Sequence, residues 1–254
     1  MPAGLETLIV PAAAAAAAGL TGAFAVMRRM ALAADALSHV ALPGIGIALA
    51  LHVHPLAGAV VMLLFGALLV WGLEDYARVS IDTVVGIVFS AALAIGSMMT
   101  SGQELVDALF GRAVLPSPAE AVFALATSAV VSWFVLARRH QLVVALVSPD
   151  LARTAGVDVR RLNLVYLETF AVTVALGLRH LGILLMGSLI IIPAATARRL
   201  AANLSQMLLL SAVLAIAATI AGTLLAHVLD REPGPVVVTL SAAGFLLTFL
   251  RKER

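Results

Sequence analysis

The sequence predicts an all-α, multi-pass membrane protein, a bundle of about eight or nine transmembrane helices. Three observations predict it. Hydrophobic residues make up 62% of the 254 positions, charged residues only 12%, and the mean hydropathy is +1.09. A soluble domain carries about 25% charge, so a soluble fold is excluded. Apolar runs of spanning length recur along the whole chain. Basic residues, finally, sort to one side of those runs. The length leaves room for one membrane domain over residues 1–254 and for no sizeable soluble one. The chain has no cysteine, which rules out disulfides and thiolate metal sites.

The apolar runs cover roughly 5–26, 31–51, 56–73, 81–99, 119–137, 162–179, 181–197, 204–227 and 234–250. The first has no basic residue before it and Arg28-Arg29 directly after it, the reverse of a secretory signal. Its alanine-rich stretch Pro11 to Ala18 is a small-residue surface suited to close helix packing. The runs that meet at 179–181 are short, and a re-entrant hairpin there would give eight spans instead of nine.

The second run holds the chemistry. Asp35 and His39 stand four residues apart, on one helix face, in a segment otherwise apolar enough to cross a bilayer. Ionisable groups at that depth are costly and mark functional sites by default. A carboxylate and an imidazole converging on one point suit a divalent transition metal. Asp35, Ser38, His39, Leu42 and Gly46 follow helical spacing and form a narrow polar strip. Pro43 has no N–H to offer the carbonyl of His39, and Gly44 permits close approach of a second helix. Two ligands fall short of the four that zinc takes, which fits a transit point better than a storage site. A buried Asp–His hydrogen bond that locks two helices is the structural alternative. His52 and His54 flank Val53 at the outer end of this run and could collect metal at the mouth, or simply be solvated.

Two stretches lie between the runs. Residues 100–118 contain Gln103 to Gly111, and 138–161 contain Ser148-Pro149-Asp150. Serine as N-cap, proline at the first helical position and an acid in the first turn predict a short helix over 149–155. Gly156 suits the position just past its end. Leu151, Ala152 and Ala155 form a small apolar knob beside Arg153, a shape suited to docking a cytosolic partner or to closing the loop. In the sixth run, Glu168 is an intramembrane acid and a pathway candidate, or a group that snorkels to an arginine. In the seventh, Pro193 lies in Gly187 to Ala197 and predicts a kink, as hinge or packing device.

With the amino terminus outside, thirteen of the sixteen basic residues fall on the cytoplasmic side; only Arg112, Arg179 and Arg231 do not. That satisfies the positive-inside rule, so the basic pI near 9.7 reflects topology and not nucleic-acid binding. The carboxyl terminus is then cytoplasmic. No Gly-x-x-x-x-Gly-Lys-Ser/Thr phosphate cradle, His-Glu-x-x-His or Gly-x-Ser-x-Gly element occurs in the chain. It is not expected to be an enzyme by itself.

Four ordered motifs then carry a resemblance over nearly the whole chain. They are Asp35-Ala36-Leu37-Ser38-His39 with Leu42-Pro43-Gly44; Asp107 to Gly111; Ser148 to Ala152 with Gly156-Val157; and Gly182 to Leu185 through Pro193 to Ala197. The chain resembles the permease subunit of bacterial ABC importers for zinc, manganese or iron. The resemblance implies a dimer of permeases in the bacterial plasma membrane, a separate cytosolic ATPase and an extracytoplasmic metal-binding protein. It makes Ser148, Pro149, Asp150, Leu151, Ala152, Arg153 and Gly156 a coupling helix seated in the ATPase. It links Asp35 and His39 to metal passage and implies no resident cofactor, the metal being cargo. Family members often have Phe-Asp-Pro where this chain has Val147-Ser148-Pro149; serine keeps the cap. Zinc is the favoured ion, with manganese or iron as alternatives. A proton-coupled secondary metal transporter, with Glu168 and Asp35 as proton carriers, would need internal repeats that the sequence lacks. A siderophore or cobalamin permease would need a wide cavity, whereas Asp-x-x-x-His suits a bare ion.

Overall fold

A computed structural model of the chain describes residues 5–30, 36–77, 81–99, 117–181 and 183–250. Among them lie ten helices and no strand: α1 Leu5–Met27, α2 Ala41–Ala50, α3 Pro55–Ala77, α4 Ile81–Met99, α5 Pro118–Val147, α6 Pro149–Thr154, α7 Val159–Leu181, α8 Ile183–Leu200, α9 Leu204–Leu229 and α10 Pro233–Leu247. A 3-10 turn, Thr248–Leu250, follows α10. A helix occupies each of the nine apolar runs, and α6 falls where the capping signals put it. Among the described residues, six helices are long and apolar enough to cross a membrane, and Ala36–Ala50 and Thr83–Met99 are shorter apolar helices.

The helices pack as two groups. α1 is the axis of the larger one and touches α5, α7, α8 and α9; α10 closes against α8 and α9. In the smaller group α2, α3 and α4 pack on one another, and α3 lies along α7. The α3–α7 contact is apolar: Ala59, Leu63, Ala67 and Val70 of α3 share a buried cluster with Leu167, Phe170, Ala171 and Val174 of α7.

Contacts at the helix termini define one end of the bundle. Trp71 Nε1 of α3 donates to the carbonyl of Arg160 at the start of α7 (3.1 Å). Arg28, just past α1, lies 4.4 Å over the ring of Tyr166. Arg198 of α8 donates to the carbonyl of Val26 (3.2 Å), and Arg199 lies 3.8 Å over Phe249. The ends of α1, α3, α8 and the last turn thus meet the start of α7 at a basic end. Burial pulls the Arg28 guanidinium below its ordinary value, while Tyr166 and Glu74 act in the opposite direction.

α7 leaves the basic end and α8 returns to it over 18 residues, about 27 Å. One detail of the fold differs from the sequence reading. The run ending at 137 continues as helix to Val147, so 138–161 is a loop only after that point. α5 is 30 residues long, about 45 Å. Hydropathy marks the stretch that lipid covers, whereas a helix ends where capping chemistry stops it. Here Arg138 donates to Gln141 (2.9 Å), Leu142 and Ala145 stay buried, and the chain turns only at Ser148. At the other end of α5, Ser117 and Glu120 form a capping box.

α2 is held by backbone proximity. A Cβ on Gly44 would run into the carbonyl of Gly58 on α3, and a Cβ on Gly58 into that of Gly44. Only glycine at both positions allows this spacing. Replacing Gly44 with Leu should lower the thermal unfolding midpoint in detergent, an overpacking cost of about 1–3 kcal/mol. Gly244→Ala, where a Cβ meets nothing within 4 Å, should be neutral or stabilising by up to about 1 kcal/mol.

Candidate functional site

His39 sits where the helical ladder of the second apolar run is interrupted. Residues 36–39 make one helical turn and Val40 N–H bonds to the carbonyl of Leu37 (3.1 Å). Val40 keeps right-handed helical angles (φ −63°, ψ −17°), so the hydrogen-bond ladder is interrupted there while the helical path Ala36–Ala50 runs on into α2. Pro43 at the third position of α2 supplies no N–H to the His39 carbonyl, so the interruption falls where the sequence requires it. An interrupted ladder at membrane depth is tolerated where protein or a cavity surrounds it.

His39 is only 9% exposed, and Ser38 beside it is fully buried. The imidazole meets Phe89 of α4 edge to face, ring centroids 5.3 Å apart at 65°. An aromatic edge contact helps fix the ring orientation, and an imidazole is a common ligand for zinc and its neighbours. Asp35 lies outside the described residues, as does the Asp107 to Gly111 motif. Among the described residues no three His, Asp or Glu side chains gather closely enough to hold a metal.

Glu168 does not join His39 in any such group. It is half-buried on α7, and its Oε1 is buried with no hydrogen-bond partner among the described residues. His52 and His54 are both exposed and shape the α2–α3 turn. His52 takes a left-handed conformation (φ 55°) just past α2, where Val53 N–H returns to the carbonyl of Ala48 (2.9 Å). Such a helix end usually takes glycine. His54 Nδ1 accepts from Leu56 N–H (3.3 Å) ahead of Pro55, which opens α3. Pro193 lies inside α8, which runs through it unbroken.

The short helix matches its sequence signals residue by residue. Ser148 Oγ accepts from Leu151 N–H (3.3 Å), Pro149 opens α6, and Asp150 pairs with Arg153 (3.0 Å). Gly156 adopts φ 79°, with its N–H on the Arg153 carbonyl (3.0 Å) and Val157 N–H on that of Ala152 (2.9 Å). These two bonds form a Schellman end, which needs a left-handed residue. Ala152 is buried, whereas Val147 and Leu151 are 78% and 60% exposed. Ala152, read from the sequence as part of the exposed knob, instead faces the core and packs in a buried cluster, which leaves Leu151 and Ala155 exposed beside the arginine–aspartate pair.

Sequence reasoning missed the polar ties between helices. Tyr166 donates to the Thr21 carbonyl (3.1 Å), and the hydroxyls of Thr21 and Thr173 lie 3.3 Å apart, so α7 is fastened to α1. Ser211 of α9 donates to the Gly19 carbonyl (2.6 Å).

Comparison with known proteins follows the same lines. The chain is 32% identical over 239 residues to the high-affinity zinc uptake system membrane protein ZnuB of Haemophilus influenzae, covering 92% of this chain and 91% of that one. It is 29% identical over 248 residues to the manganese import system permease protein ScaB of Streptococcus parasanguinis, covering 96% and 89%. Its fold is similar to PsaBC from Streptococcus pneumoniae, solved in complex with Fab, with a TM-score of 0.83 and 25% identity over 96% of this chain and 90% of that one. The ABC 3 transport family model matches residues 3–252, and the chain belongs to that family.

Proposed function

We propose that the chain is the permease subunit of an ATP-driven importer of divalent transition-metal ions. Zinc is the favoured cargo, with manganese and iron as alternatives. The observation that carries the reading is His39, a buried imidazole where a helical ladder is interrupted within a membrane-spanning fold of this family. The names of relatives, which include zinc, manganese and chelated-iron transport proteins, support metal cargo.

The proposed membrane is the bacterial plasma membrane, with the amino terminus outside and the basic end in the cytoplasm. Clustering of Arg28, Arg160, Arg198 and Arg199 at that end supports the orientation. A second permease copy would bring its own Asp35 and His39, completing a four-ligand set that one chain lacks. An extracytoplasmic binding protein delivers the ion, which meets this set and leaves inward when the ATPase closes on α6. No permanent cofactor is needed, because the ion is the cargo. Ser38 and Glu168 are secondary pathway candidates. His52 and His54 act first on the turn they build.

In proteoliposomes holding the permease with its ATPase and binding protein, Asp35→Ala and His39→Ala should each cut ATP-dependent zinc uptake about tenfold or more, the scale on which loss of a metal-site group acts. Unimpaired uptake in both would remove them from the pathway. Uptake driven by a proton gradient without ATP would replace the whole reading. For docking, Leu151→Asp or Arg153→Glu should strip the ATPase from the purified complex by at least about fivefold while the permease itself remains folded. Full retention of the ATPase with both variants would put the docking surface elsewhere.

A further inference from the structure

The two helix groups must exchange motion if ATP hydrolysis by a partner docked on α6 is to reach His39, and the structure offers a continuous route. α6 and α7 are separated by four residues with both ends capped. The Schellman bonds close α6, and Asp158 opens α7 by accepting from Arg161 N–H (3.0 Å) and pairing with its guanidinium (3.1 Å). Val157, Val159 and Leu162 pack in one cluster with Ala152. A displacement of α6 therefore passes to the first turn of α7 with little slack. There the carbonyl of Arg160 receives Trp71 Nε1–H (3.1 Å), and the Arg160 guanidinium lies 4.6 Å over the Trp71 ring. Both contacts, one to the indole N–H and one to the ring, join α3 to Arg160 at a single residue. α3 in turn meets α2 through Gly58 and Gly44, one turn beyond His39.

We infer that the Trp71–Arg160 clasp is the joint that transmits movement of the docking helix to the metal-bearing helix. Trp71 is a positioning residue: it touches neither metal nor nucleotide but ties the two moving groups. The inference rests on the proposed ATP-driven function. It adds which side chain makes hydrolysis productive. Coupling energies between distant sites are carried by packed elements of this kind.

The test is the number of zinc ions taken up per ATP hydrolysed by the complete importer in proteoliposomes. Trp71→Leu removes both the donor and the ring. It should lower that ratio by about fivefold or more, the lower edge of usual coupling effects, while ATP hydrolysis persists. Trp71→Phe keeps a face for Arg160 but loses the N–H, and should fall between Trp71→Leu and the unmodified chain. A purely structural role would reduce assembled complex, uptake and hydrolysis in proportion and leave the ratio unchanged. That result overturns the inference, as does an unchanged ratio in fully assembled Trp71→Leu. Uptake by the unmodified complex with an unaltered ratio in the variants defeats the joint alone. Absence of ATP-dependent uptake by the unmodified complex defeats the joint and the function together.

Discussion

The close approach of α2 to α3 at Gly44 and Gly58 is the constraint on which the rest depends. In lipid there is no hydrophobic drive between helices, so backbone proximity and van der Waals packing must hold them. α2 has only ten residues, and the hydrogen-bond ladder leading into it is interrupted at Val40. It would not keep a fixed place without such a contact. Val40 and Leu42 occupy the space that Cβ atoms on Gly66 and Gly96 would fill, which extends the fit along α3 and α4. The same fit turns His39 inward against Phe89. An interrupted ladder in membrane is thereby stabilised by neighbouring helices and not by its own hydrogen bonds.

α7 supplies the complementary rigidity. It follows α6 after one capped turn, is tied to α1 through Tyr166 and Thr21, and runs beside α3 over its apolar length. Arg28 packs on the same Tyr166 ring, so the basic end is fastened by cation–aromatic contacts as well as hydrogen bonds. The arrangement separates two tasks. α5, α6 and α7 form the side that carries the proposed docking surface, and α2, α3 and α4 form the side that holds His39 against Phe89.

Much of this was legible in the sequence because its causes are local. Apolar runs report lipid-facing length, and all nine became helices. Ser148, Pro149 and Gly156 predicted α6 because each acts on backbone within four residues of itself. Pro43 placed the interruption beside His39 for the same reason. The extension of α5 past Arg138 and Arg139 was hidden, since charge lowers hydropathy without ending a helix. His52 and His54 read as metal collectors or as solvated loop groups, and composition cannot show that one fills a left-handed helix end and the other accepts from Leu56. The ties between Trp71 and Arg160, or Tyr166 and Thr21, join residues 89 and 145 positions apart. A single sequence holds no signal for such pairs.

The most direct measurement of the central claim is zinc-edge X-ray absorption of the permease–ATPase complex, loaded with zinc and free of the binding protein. The account predicts imidazole scattering at Zn–N distances of about 2.0–2.1 Å, and its loss in His39→Phe. A spectrum with imidazole ligation unchanged in that variant, or with a shell of oxygen alone in the unmodified complex, would contradict it.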